Sequence, residues 1–248
     1  LSALFSYSSG DLDSLINRFN KEKNPDERLK LSRKIGKLTI TNDPNLFEKS
    51  VREALKDSNK VKDKKLVGLN LNMLGILYQY QNNLDSSDYY FNYYKIQASK
   101  NNDINGLSIA NNNLAINERK RGNYKEAIDL FISAMKANDK HGNKLRSAGN
   151  MGDIANTYLY MKNYDSGLKY LKMSLAKLNE LEEQTNQAKS IRANTYNSMG
   201  YIFADKNKKD SAIYYYNKSL ILKKEINNLY SWCNTKMNLC NQLKKEPQ

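Results

Sequence analysis

Two stretches of this sequence, GNYKEAIDLF at 122–131 and KNYDSGLKYL at 162–171, repeat one pattern at an interval of 40 residues. Each sets Asn-Tyr ahead of a small residue, Ala127 or Gly167, with a large apolar one four positions later, Phe131 or Leu171. From Ala127 the same interval carries back to Ser87 and Phe47 and forward to Gly167, and a step of 45 then reaches Ala212. Four positions beyond each lie Val51, Phe91, Phe131, Leu171 and Tyr216, all large. Phe47 alone breaks the small column, which makes the first repeat the poorest. The longer step points to an insertion in LNELEEQTNQ, at 178–187.

A second column stands twelve residues upstream: Ile35, Gly75, Ala115, Ala155 and Gly200. Leu74, Leu114, Ile154 and Met199 precede it, and Leu38, Tyr78, Tyr158 and Phe203 follow three positions later, with Glu118 as the exception. Apolar residues three and four apart lie on one face of a helix. Small residues at both columns let two antiparallel helices approach closely, while the large ones fill the gaps between successive pairs. With only 3 prolines and 11 glycines there is little punctuation for a many-turned β fold.

The order Leu-Gly-x-x-Tyr, then a small residue, then an aromatic resembles the tetratricopeptide repeat, whose usual period is about 34 residues. NMLGILYQYQNNLDSSDYYF and NSMGYIFADKNKKDSAIYYY carry it best. The resemblance covers roughly residues 25–245; it departs from the family in its 40-residue period and in lacking the consensus Trp and late Pro. Longer repeats of this kind resemble those of bacterial peptide-responsive regulators and the repeat regions of bacterial sensor histidine kinases. The implied fold is all-α, a right-handed α-solenoid of about five helix pairs plus a terminal helix.

Local signals place the helices. NPDE at 24–27 reads as an N-cap, a Pro in the first turn and acids beside it, and NDPN at 42–45 repeats the device. The expected pairs are 26–40 with 43–58, 65–81 with 84–100, 105–121 with 124–140, 145–161 with 164–182, and 188–206 with 209–225. The domain reading is an N-terminal segment or helix at 1–24, the solenoid at 25–228, and an unpaired helix at 229–248. That last helix follows the first-helix pattern of a sixth repeat, so it is either a cap or a repeat cut short. The opening LSALFSYSSG resembles the end of a signal peptide, which would make the protein exported or periplasmic; a plain N-terminal helix in a cytoplasmic protein is the other reading.

Composition narrows function. Forty Lys and Arg against 26 Asp and Glu give a net charge of +14, which would suit nucleic acid, an anionic membrane surface or an acidic protein. Only 8 of those 40 are Arg, the residue that bidentate phosphate and base recognition favours, which argues against nucleic acid. Cys233 and Cys240 on one helix would stand about 10 Å apart, too far to bridge. His141 lacks neighbours at ligand spacing, and no segment approaches a membrane span. There is no Gly-rich phosphate loop and no His-carboxylate or Cys-His cluster, so the chain reads as non-catalytic and without a cofactor. Glu182 and Glu183 read as solvated surface, and the Tyr-rich DYYFNYYK and IYYYNK as packing between layers.

What is left is a surface. Resemblance to the family places ligands in a concave groove lined by first helices. Three positions before the small column stand Ser32, Asn72, Asn112, Gly152, Asn197 and Met237, with Asn113 and Asn156 beside that rail. Amides both donate and accept, so Asn72, Asn112, Asn113, Asn156 and Asn197 form a ladder able to hold an extended peptide, with Arg119 and Tyr201 flanking it. The same amides could instead join neighbouring repeats. The expected partner is a protein or peptide, in the sensor or docking region of a two-component type of signalling protein. A basic solenoid binding RNA or DNA, an envelope adaptor, and a homo-oligomer stay open as alternatives.

Overall fold

The computed structural model describes residues 9–244, and within them every element is helical. The twelve helices are α1 (Ser9–Lys21), α2 (Pro25–Thr39), α3 (Pro44–Leu55), α4 (Lys64–Tyr80), α5 (Leu84–Lys100), α6 (Ile104–Arg121), α7 (Tyr124–Lys140), α8 (Lys144–Tyr160), α9 (Tyr164–Asn179), α10 (Asn186–Asp205), α11 (Lys209–Glu225) and α12 (Leu229–Leu243). Apart from Ser9 and Gly10, which open α1, the segment read as a leader remnant lies outside the described residues. The helices fall into two compact units, α1–α6 and α7–α12.

The packing follows the columns. In the first unit α2 packs on α3 and α4 on α5; in the second α8 packs on α9 and α10 on α11. First helices also touch the next first helix, α2 to α4, α4 to α6, α8 to α10 and α10 to α12, whereas second helices make no comparable contact with one another. Within each unit the first helices therefore form the more closely packed layer. Ala115, Ala155, Ala127, Ser87 and Ala212 are wholly buried, as are Val51, Phe91, Phe131 and Leu171 four positions beyond the column that runs through Ala127. Adding a Cβ to Gly75 would drive it into the Phe91 ring, and one on Gly200 would lie 2.6 Å from Tyr216 Cδ1. Aromatic pairs then tie first helix to second: Tyr78 stacks on Tyr90, Tyr158 on Tyr170 and Phe203 on Tyr215, at 5.5, 5.9 and 5.3 Å between centroids.

The first repeat departs from the sequence register by one residue. Ile35 is not its small position; Gly36 is, and the Phe47 ring packs directly over it. Phe47 therefore does not stand where a small side chain is wanted. It is a fully buried large residue filling the space that Gly36 leaves.

The connections explain much of the Asn content. Asn82, Asn102, Gly122, Gly142, Lys162, Asn207 and Asn227 all take positive φ, spaced by 20 except for the step of 45 from Lys162 to Asn207. Each is followed by a residue whose N–H reaches back to a carbonyl five positions earlier, as in Asn83 to Tyr78, Asn163 to Tyr158 and Asn228 to Lys223. This is the Schellman ending, which favours Gly or Asn at the left-handed position. The next residue caps the following helix: the side chains of Asn83, Asp103, Asn143, Asn163 and Asn228 each accept a backbone N–H three residues on. Lys208 has the same backbone geometry and no side-chain cap. The insertion lies at 180–185 between α9 and α10, and it leaves Glu182 and Glu183 exposed in that connection instead of on a helix end.

Candidate ligand-binding site

The ladder asparagines sit on first helices, half-buried, at the edges where one first helix meets the next. In the first unit Asn113 Nδ2 on α6 donates to Asn72 Oδ1 on α4, at 2.7 Å. In the second unit the Ser198 hydroxyl on α10 donates to Asn156 Oδ1 on α8, also at 2.7 Å. There too, Thr235 on α12 donates to Asn197 Oδ1 on α10 at 2.9 Å. The joint is the same each time. One first helix offers an amide oxygen and the next supplies its donor.

Fully buried amides do the same work deeper in. Asn70 accepts from Ser32 at 2.8 Å and donates to the Leu29 and Leu66 carbonyls. Asn117 accepts from Gln79 at 2.7 Å and donates to Ser87 and Asp88, at 2.9 and 2.7 Å. Asn138 donates to Asn150 at 2.8 Å. Buried polar groups persist only when they are bonded, so these pairs fix how successive helices register.

Asn72, Asn156 and Asn197 are less enclosed, and their Nδ2 groups, unlike their oxygens, donate to no side chain or carbonyl among the described residues. Asn112 and Arg119, half-buried on α6, have interactions of their own within the fold. Tyr201 is exposed on α10 and borders a cavity of about 210 Å³ between α10, α11 and α12. Ala204, Asp205, Tyr216, Asn238, Asn241 and Gln242 complete its walls. The Tyr216 hydroxyl is held well above its ordinary value, to about 12, because burial disfavours the phenolate. Three amides and one carboxylate give that cavity a lining suited to hydrogen bonding. Of the seven residues read from sequence, Asn72, Asn112, Asn113 and Arg119 belong to the first unit, and Asn156, Asn197 and Tyr201 to the second.

Two features escaped the sequence reading. Lys223 on α11 is buried, donating to Thr235 Oγ1 at 2.7 Å and to the Ser231 carbonyl at 3.3 Å, with burial lowering its pKa to about 8. Its position in the repeat is filled by Ala98, Asn138 and Leu178 elsewhere, and that mismatch was the available signal. The second is a cationic stripe on α2, legible in RLKLSRKIGK as bases at helical spacing. His141 and Cys233 are exposed, and no cluster of three or more potential metal ligands occurs among the described residues. No helix among them is long and apolar enough to cross a membrane.

Repeated helix pairs, a closer-packed layer of first helices and amide joints between them define an α-helical repeat scaffold. The family model described as tetratricopeptide repeat matches residues 106–180, and the same helix-pair architecture continues on both sides of that segment. Solved structures share the fold at low identity. BtubC from P. vanneervenii is similar at a TM-score of 0.72 and 15% identity, over 88% of this chain and 89% of that one. The quorum sensor NprR from B. thuringiensis is similar at 0.67 and 17%, over 94% and 69%. A STAND signal-transduction ATPase with a tetratricopeptide repeat sensor, from Pyrococcus horikoshii, is similar at 0.71 and 16%; 92% of this chain aligns with 33% of that one. No curated protein matches the sequence.

Proposed function

We propose that this protein is a non-catalytic scaffold that binds an extended peptide segment, as the sensor or docking region of a signalling protein. The observation that carries this reading is the orientation of the ladder amides. Asn72, Asn156 and Asn197 each commit the oxygen to an adjoining helix and keep an N–H₂ for a ligand. Within the second unit Asn156 and Asn197 supply two such fixed donors, suited to the carbonyl groups of an extended chain whose side chains then select the sequence. Because the oxygen is already bonded, the donor is held in place before a ligand arrives, which lowers the ordering cost of binding. The sensor role draws support from two proteins of this fold, one a quorum sensor and one carrying a repeat sensor.

The test uses substitutions that separate the two ends of the amide. Asn156→Asp and Asn197→Asp retain the accepting oxygen and remove the outward donor. A peptide selected from a random library against the parent should bind each variant about 5- to 100-fold more weakly, the equivalent of about 1–3 kcal/mol for a lost hydrogen bond to a buried partner. Melting temperatures should stay close to the parent. If both variants bind as tightly as the parent, the amides are joints between helices and nothing more.

A further inference from the structure

Helices α1 and α2 enclose a second feature, chemically unlike the amide ladder and independent of it. Phe19 is buried and packs α1 onto α2, with Leu12, Leu15 and Ile16 in the same apolar cluster and the Arg28 guanidinium 4.9 Å above the Phe19 ring. This fixes Arg18 of α1 beside the outer face of α2. Between them lies a cavity of about 250 Å³ walled by Arg18, Lys30, Arg33, Lys34 and Lys37, with buried Leu31 beneath. The single carboxylate there, Glu27, is already held by Lys30 at 2.6 Å.

Four of the five cations occupy one stripe of α2, at positions i, i+3, i+4 and i+7. Lys30 with Lys34, and Arg33 with Lys37, are like charges one turn apart, an arrangement that works against the helix. Some lysines elsewhere are answered by acids, Lys56 by Glu53, Lys60 by Asp57, Lys189 by Glu225 and Lys206 by Asp165. Among the described residues no carboxylate answers Arg18, Arg33, Lys34 or Lys37. Arg33 Nε is in addition buried without a hydrogen-bond acceptor, a state that leaves a charged donor short of its partner.

We infer that the α1–α2 cavity is a binding site for a dianionic phosphoryl group. Such a group brings close to two negative charges and three acceptor oxygens, enough to neutralise the stripe. A single carboxylate would neutralise one cation and leave the like-charge pairs in place. The group's source is either a phosphorylated side chain of a partner peptide or a free phosphate ester, and the cavity chemistry is common to both.

The experiment is calorimetric titration of the full chain at constant ionic strength with four probes: inorganic phosphate, phosphoserine within a short neutral peptide, the same peptide unphosphorylated, and the same peptide with Glu-Glu replacing phosphoserine. Phosphoserine peptide and inorganic phosphate should bind, the former more tightly if the source is a peptide and no more tightly if it is a free ester. Arg33→Gln and Lys37→Gln should each weaken binding at least tenfold, while Lys60→Gln, a paired lysine on another connection, should leave it unchanged. Lys37 is exposed, so its variant tests the site even where Arg33→Gln is poorly folded. Equal weakening by Lys60→Gln, or equal binding of the Glu-Glu peptide, would overturn the assignment by showing only a general attraction for acids. Absence of binding by both phosphorylated probes would overturn it outright.

Discussion

The Lys223 ammonium lies 2.7 Å from the Thr235 hydroxyl, and that hydroxyl lies 2.9 Å from Asn197 Oδ1. A lysine buried on α11 is thus tied through α12 to a ladder amide on α10. Burial without a carboxylate disfavours the charged form, which is why the Lys223 pKa falls from 10.5 to about 8. Between those two values the unfolded chain holds a proton that the folded chain has lost. Stability therefore rises with pH across that window, and below about pH 8 the full cost of the buried charge is present. Lys223→Leu, which copies Leu178 one repeat earlier, should raise stability by about 2–3 kcal/mol at pH 7. The gain should shrink as pH climbs from 8 to 10.5. Parallel urea titrations of parent and variant across that range provide the check, and a gain that does not vary with pH would show that Lys223 is not the titrating group.

The glycines on first helices are not equivalent. Gly200→Ala places a methyl 2.6 Å from the Tyr216 ring, which is itself buried and closely packed, so the variant should lose about 1–3 kcal/mol by overpacking. Gly152 has no atom within 4 Å of the same added carbon. Gly152→Ala should therefore gain about 0.5–1 kcal/mol from helix propensity alone. Opposite shifts in melting temperature are the expected outcome, and shifts of the same sign would contradict the close approach of α10 and α11.

Two turns depart from the pattern of the others. Lys162 adopts φ of +56° where sister turns use Asn or Gly, and Lys208 stands at an N-cap without a capping side chain. Lys162→Gly should relieve a left-handed strain of about 1 kcal/mol, partly offset by the freer unfolded chain. Lys208→Asn should add about 1 kcal/mol by capping α11. Both variants should melt above the parent; a fall in either would mean that the side chain makes a contact the turn geometry does not account for.

How much of this was legible in the sequence depended on the range of the interaction. The paired columns, the turn residues and the caps each involve neighbours a few positions apart, and the chain repeats them. The helices and the inserted connection could therefore be placed from sequence to within a few residues. The register of the first repeat could not, because Ile35 and Gly36 are both compatible with the column until the Phe47 ring is seen to occupy the space over Gly36.

The candidate site was legible only as an enrichment of asparagine. Local sequence determined that these residues lie on first helices and in the turns, because helix periodicity and left-handed turn preference are properties of short segments. Tertiary structure alone decided what each amide does. Asn72 meets Asn113, Asn156 meets Ser198 and Asn197 meets Thr235 across 38 to 42 residues of chain. The same holds for Lys223, whose burial follows from the packing of α12, and for Arg33, whose setting follows from the docking of α1. Hydrogen bonding and desolvation depend on which groups share a space, and that is settled only when the helices pack.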